Sequence, residues 1–117
     1  MRLTPREHVV TLELARATRL SRDEIIDVLR RERAHLQRLG VRHVSLFGSV
    51  ARAEETSGSD IDLVIAIDSM ARVSGFGLAH IGLVLEDKLK SSVDLVVEPV
   101  RRSDLKADIE RDQIRVF

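Results

Sequence analysis

Three aspartates and one Gly-Ser pair are the residues whose types and spacing could do chemistry. Gly48-Ser49 follows an apolar segment, and Asp60 and Asp62 open a second apolar segment after ten intervening residues. Glycine lets the backbone turn sharply and lets a ligand approach without meeting a β-carbon. A serine where a helix begins places a hydroxyl beside unpaired N–H groups, which favour phosphate oxygens. The pair therefore predicts a phosphate-binding turn.

The carboxylates of Asp60 and Asp62 predict a metal site. Side chains alternate along a strand, so these two project to one side while Ile61 and Leu63 project to the other. Paired carboxylates on a rigid strand suit Mg²⁺, which prefers oxygen ligands and completes its shell with water and substrate phosphate. Either feature alone is ordinary, because Gly-Ser is a common turn and an aspartate pair can simply be solvated. Their co-occurrence within one short segment indicates a nucleotide site.

Two further residues are candidates for the same site. Asp94 is the single charge in an apolar run, and burial of an unpaired carboxylate is costly, so a metal shared with Asp60 and Asp62 would satisfy it. The alternative is a plain aspartate on an edge strand. Arg52 could donate two hydrogen bonds to a triphosphate. Its alternative is a surface arginine paired with Glu54 or Glu55.

The elements that must position these residues follow from hydrophobic periodicity and capping signals. They are a helix capped by Ser21 and Glu24 and ended by Gly40, a strand from Val41 to Phe47, a short helix from Ser49, a central strand from Asp62 to Ile67, a helix from Phe76 to about Lys90, a strand from Val93 to Val97 and a helix from Ser103 to Glu110. This order predicts an α/β (α+β) fold, a small mixed β-sheet flanked by helices. The last residues are expected to fold back on the core.

Composition and the absence of other motifs exclude several classes of function. The 117 residues suit one domain, and the formal net charge of +0 argues against general nucleic-acid binding. With no cysteine, disulfides and thiolate zinc sites are excluded, and the four histidines show no zinc spacing. The absence of a signal peptide or bilayer-spanning stretch makes the cytoplasm the expected location, with no membrane partner. Neither a kinase-type P-loop nor a glycine-rich Rossmann turn is present.

The motif Gly48-Ser49, ten intervening residues, then Asp60-Ile61-Asp62 resembles that of the DNA polymerase β-like nucleotidyltransferase superfamily. The longer string from Phe47 to Leu63 resembles its MNT (minimal nucleotidyltransferase) branch, whose members often act as antitoxins of HEPN-domain toxins. The resemblance covers roughly residues 22 to 117. It leaves residues 1–20 as an N-terminal extension, predicted to be helical, and residues 21–117 as the MNT domain.

The resemblance implies a nucleotidyltransferase fold and a Mg-dependent transfer of AMP from ATP to a tyrosine of a HEPN toxin. It implies that three aspartates are catalytic and hold two Mg²⁺ ions, and that four residues bind the nucleotide. The aspartates are Asp60, Asp62 and Asp94, and the nucleotide-binding residues are Gly48, Ser49, Arg52 and Ser59. The sequence leaves the oligomeric state open, and a homodimer is one of the alternatives.

One residue departs from the family pattern. Ala53 stands where the family usually has glycine, and a positive φ there would be unfavourable for alanine. A second hypothesis is therefore a binding antitoxin that neutralises its toxin by complex formation alone. A third is a stand-alone transferase that acts on a small molecule.

Overall fold

The structure is a computed structural model that describes residues 20–56 and 58–117. The helix predicted for the N-terminal extension lies outside the described residues. The elements are α1 (Arg22–Arg31), α2 (Arg33–Arg38), β1 (Val41–Phe47), α3 (Gly48–Ala51), β2 (Ile61–Ile67), α4 (Gly75–Leu89), β3 (Val93–Val97), α5 (Ser103–Asp112) and β4 (Ile114–Arg115).

Local sequence signals account for the first helices. The predicted capping box is confirmed, because the Glu24 amide donates to the Ser21 hydroxyl and the Ser21 amide donates to the Glu24 carboxylate. The prediction of one continuous helix is wrong, since Glu32 separates α1 from α2. Gly40 follows α2 with a φ of 104°, a conformation that glycine adopts at low cost.

The sheet is mixed, as predicted, with the strand order β3-β2-β1-β4. β1 pairs antiparallel with both β2 and β4, and β2 pairs in parallel with β3. The strand predicted to be central, β2, has a neighbour on each side. Its parallel pairing with β3 requires a crossover, which α4 provides.

Both faces of the sheet are covered. Alternate residues of β1 and β2 bury their side chains in the main core, where α1 and α4 pack. The residues between them face the other side, where Phe47 and Val64 pack with Ile109 of α5. The side-chain alternation of β2 therefore decides which layer each residue meets, and it puts Asp62 in the α5 layer.

None of the helices in the described part of the chain combines the length and hydropathy that a bilayer crossing requires.

Candidate active site

Asp62 and Asp94 are direct neighbours across two parallel strands. The Cα register pairs Asp62 of β2 with Asp94 of β3, so both side chains project from the same face of the sheet. Asp60 lies immediately before β2 and is exposed. The three predicted acids thus meet at one end of the sheet, although Asp60 reaches it from the loop and not from the strand.

Asp94 reaches this position for a different reason from the one predicted. The sequence suggested a carboxylate inside a buried strand, but Asp94 is exposed and its neighbours in β3 are only half-buried, because β3 is an edge strand. The buried-charge argument was therefore wrong, while the adjacency to Asp62 comes from the strand register. An exposed carboxylate at this edge is accessible to an incoming molecule.

Burial and neighbouring charges perturb Asp62. Burial of this half-buried side chain, together with the charges of Asp94 and Asp60, raises the pKa of Asp62 to about 6. A hydrogen bond between the Asp62 and Asp94 carboxyl groups raises the pKa further, while the charge of Arg52 lowers it. The site therefore concentrates negative charge that a cation would relieve.

Gly48 leaves the Asp62 carboxylate open to one side. A Cβ placed on Gly48 would lie 2.1 Å from Oδ2 of Asp62, and Gly48 has a φ of 75°. Both the space and the backbone conformation exclude other residues. The predicted glycine is therefore in direct contact with the predicted acid, which joins the two halves of the motif.

The short helix predicted from Ser49 forms as α3 and begins one residue earlier. α3 begins at Gly48 and has four residues, so Ser49 lies within a single turn and Arg52 follows it as the C-cap. A dipole argument from this turn is weak, because a macrodipole needs aligned peptide units over several turns. The remaining contribution of Ser49 is its hydroxyl and its half-buried position beside Gly48.

The end of α3 explains the residue that departs from the family pattern. Ala53 has a φ of 57°, and the amides of Glu54 and Ala53 donate to the carbonyls of Ser49 and Val50. These two bonds form a Schellman motif, whose left-handed residue is usually glycine. Alanine keeps the backbone path of the turn here, at the cost of left-handed strain. Arg22 also donates from Nη1 to the Ala51 carbonyl at 3.0 Å and so holds this turn against α1.

Arg52 is held by two carboxylates. Its Nε donates to Glu54 at 3.0 Å, as the surface-pair alternative predicted, and its Nη1 donates to Asp112 at 2.6 Å. The side chain of Asp112 is only 4% exposed, whereas Arg52 is 37% exposed. Hydrogen bonds from Arg111 and Arg52 lower the pKa of Asp112.

Sequence reasoning missed Asp112. It is the last residue of α5, 60 positions beyond Arg52, and a charged residue at an amphipathic helix end carries no signal of such a contact. The contact fixes the guanidinium on the α5 side of the sheet, where it influences Asp62. Arg52 is therefore positioned beside the acids, with part of its surface accessible.

Ser59 stabilises the turn before the acids. Its hydroxyl accepts a hydrogen bond from the Thr56 amide at 2.9 Å, and its own amide donates to the Thr56 carbonyl at 3.0 Å. This closes the polar turn predicted between Glu55 and Asp60. The structure thus gives Ser59 a local role in bringing the chain to Asp60.

The acids do not form a ready metal centre. Within residues 20–56 and 58–117, no group of three or more histidine, cysteine, aspartate or glutamate side chains is arranged to hold a metal ion. The donor set nevertheless fits Mg²⁺, because carboxylate oxygens are its preferred protein ligands and the raised pKa of Asp62 reflects its burial together with the neighbouring charges of Asp94 and Asp60. Rotation of the exposed Asp60 and Asp94 side chains would be needed to complete such a site.

Comparison with known proteins finds a matching family model and several relatives. The model of the family described as "Nucleotidyltransferase domain" matches residues 23–116. Protein adenylyltransferase MntA of Thermococcus cleftensis is 30% identical over 97 residues, which cover 82% of this chain and 92% of that protein.

Solved structures share the fold. A structure described as a proposed minimal nucleotidyltransferase is 32% identical, with a TM-score of 0.62, and the match covers 83% of this chain and 97% of that one. A toxin–antitoxin structure with AMP-PNP has a TM-score of 0.60 at 20% identity, covering 84% of this chain and 73% of that one. At that identity the second likeness concerns the fold alone.

Proposed function

The chain belongs to the nucleotidyltransferase domain family, and from this premise we propose that it is an antitoxin that transfers AMP from ATP to a tyrosine of a cognate HEPN toxin. The observation that carries the proposal is the pairing of Asp62 with Asp94 beside Gly48. Because glycine has no Cβ, a triphosphate and its cations can approach the two carboxylates at one point. The reaction is the attack of a hydroxyl on the α-phosphorus.

The proposed metal ligands are Asp60, Asp62 and Asp94. When bound, two Mg²⁺ ions would supply charge neutralisation for the triphosphate and for the attacking and leaving oxygens. Asp62 is the residue common to any such arrangement, because it lies between Gly48 at the start of α3 and Asp94 on β3. Asp60 and Asp94 are exposed and have the freedom to reach the same point.

The nucleotide is held by the turn around α3. We assign the β- and γ-phosphates to the backbone at Gly48 and the hydroxyl of Ser49, so that the leaving pyrophosphate is held while the α-phosphorus is attacked. Arg52, fixed by Glu54 and Asp112, adds positive charge near Asp62. Ser59 contributes to nucleotide binding indirectly, because it stabilises the turn that positions Asp60.

Asp94 is the proposed proton acceptor. A bond forms between the acceptor oxygen and the α-phosphorus, the bond from the α-phosphorus to the bridging oxygen of pyrophosphate breaks, and the acceptor proton passes to a carboxylate. Asp94 suits this role because it is exposed at the edge strand and adjacent to Asp62. An acceptor can therefore approach from the open edge of β3.

A protein acceptor is favoured by two observations. The relative MntA is named a protein adenylyltransferase, and a fold neighbour is a toxin–antitoxin complex with AMP-PNP. The chain contains no tyrosine, so a modified tyrosine must belong to a partner. The HEPN identity of that partner rests on the resemblance of the motif to the MNT branch.

The test combines the purified chain with labelled ATP, Mg²⁺ and the product of the neighbouring gene. We expect label on a tyrosine of that product and loss of its RNase activity. The Asp62→Asn variant should lose transfer, while the matched variant Asp27→Asn, an exposed position on α1, should retain it. Absence of transfer to a partner that still binds would contradict the enzymatic proposal.

A binding antitoxin without catalysis is the second candidate, and the alanine at position 53 is the observation that favours it. The double variant Asp60→Asn, Asp62→Asn separates the two. A stoichiometric inhibitor would still protect cells from the toxin, whereas an enzyme would not. Protection by the double variant at wild-type level would therefore favour the second candidate.

A further inference from the structure

The outer face of α4 is apolar although no described element covers it. Phe76 is 90% exposed and Leu83 is 66% exposed, while Ala79 and His80 between them are also exposed. These residues recur at intervals of three, four and seven, which places them on one side of a helix. The opposite side carries Ile81, Leu85 and Leu89, which are buried in the core. A helix that is apolar on both sides is typical of an element with partners on both sides.

The order of residues on this face is self-complementary. Phe76 and Leu83 lie at equal distances in sequence from a midpoint between Ala79 and His80. If two copies of α4 pack antiparallel about that midpoint, Phe76 of each copy meets Leu83 of the other. The small side chain of Ala79 then lies near the axis and permits close approach. Such a contact is isologous, because the same surface serves both subunits.

The charges at the two ends of the helix fit the same arrangement. Arg72 is exposed just before α4, and Asp87 is exposed one turn beyond Leu83. Arg72 thus places positive charge before the N-terminus of α4 and Asp87 places negative charge in its second half, and an antiparallel pair brings these oppositely charged ends together. Asp87 already lies 3.6 Å from Lys90, but both side chains are more than two-thirds exposed, so this pair is weak. Antiparallel packing also places opposite helix-dipole ends together.

We propose that the outer face of α4 binds a second copy of this chain in an antiparallel, two-fold symmetric contact. The face lies on the side of the sheet away from Asp62 and Asp94, because α4 packs in the main core and the acids lie in the α5 layer. Dimerisation therefore leaves the nucleotide site accessible in both copies. A contact of one helix pair is small, so the dimer is concentration-dependent.

The full chain is tested by sedimentation equilibrium from about 10 μM to 1 mM. Interference optics are needed, because the chain has no tryptophan or tyrosine. We expect a reversible monomer–dimer equilibrium. Ala79→Asp should weaken it about tenfold or more by placing two like charges near the axis. Ala107→Asp is the matched control, since Ala107 is exposed and is also the fifth residue of its helix, α5.

A charge exchange tests the orientation. Arg72→Glu and Asp87→Arg should each weaken the dimer, and the double variant should recover most of the affinity, because each contact occurs twice in a symmetric pair. Circular dichroism checks that the variants fold. A monomer throughout the range, equal effects of Ala79→Asp and Ala107→Asp, or no recovery in the double variant would overturn the proposal. Loss of toxin binding by Ala79→Asp, in a chain that is itself monomeric, would also overturn it.

Discussion

Gly48 and Asp62 approach so closely that a Cβ on Gly48 would lie 2.1 Å from the carboxylate Oδ2 of Asp62. This contact links the phosphate-binding half of the motif with its acidic half. It also means that residue 48 controls both the backbone turn and the space beside the Asp62 carboxylate, whose pKa is raised.

Gly48→Ala should therefore damage both stability and nucleotidyl transfer. The φ of 75° at Gly48 would cost alanine about 1–2 kcal/mol, and the Cβ would displace the Asp62 carboxylate. A displacement of about 1 Å can lower a rate by roughly 100-fold. Thermal melts and label transfer from ATP measure the two effects. Gly58→Ala is the control, because no atom of the described residues beyond its chain neighbours lies within 4 Å of its Cβ position. Equal effects of both variants would contradict the role of the contact.

Ala53→Gly should stabilise the protein by about 1 kcal/mol, since Ala53 occupies the left-handed position of the Schellman motif with a φ of 57°. Transfer should be retained or increased, because the backbone path stays the same. Lys90→Gly, at a φ of 54° after α4, is the matched control for stability away from the acids. Denaturant titration gives the free energies of unfolding. A destabilised Ala53→Gly variant would show that the side chain, and not the backbone, matters there.

Asp62→Asn should raise the stability of the metal-free protein above pH 6. The folded-state pKa of Asp62 is raised from 3.8 to about 6, so the folded state binds more protons than the unfolded state between these values. Stability therefore falls as the pH rises through this window, and the ionised carboxylate remains unfavourable above it. The gain in the variant should vanish below about pH 4.

Asp104→Asn should behave in the opposite way, because Arg102 lowers the pKa of Asp104 and its charged form is favoured in the folded state. Melts in the presence of EDTA from pH 3.5 to 8 compare the two variants. A gain for Asp62→Asn that does not depend on pH would contradict the electrostatic explanation.

Asp112→Asn should lower transfer by roughly tenfold without removing a residue that touches the nucleotide. The variant weakens the 2.6 Å ion pair that fixes Arg52, while Glu54 still holds Nε. Asp108→Asn is the control, because among the described residues Asp108 pairs with Arg111 alone and is 54% exposed. Steady-state kinetics with ATP should show the effect mainly in KM, since a mobile Arg52 would bind the triphosphate less well. Unchanged kinetics would remove Arg52 from the proposed nucleotide site.

The sequence by itself determined most of the elements and the motif, although not the break between α1 and α2. The strands Val41–Phe47 and Val93–Val97 have the predicted bounds, and the capping box of Ser21 and Glu24 forms as expected. These features depend on neighbours within a few residues, through side-chain alternation and local hydrogen bonds. The positive φ at Ala53 could likewise be anticipated, because the family usually has glycine at this position.

Only the tertiary structure decided how the acids meet. The parallel register that pairs Asp62 with Asp94, the exposure of Asp94 on an edge strand and the ion pair of Arg52 with Asp112 join residues that are 32 and 60 positions apart. The outer face of α4 is exposed for the same reason, since its apolar residues could equally have been core. Such relationships depend on strand order and layer packing, which a local pattern does not encode.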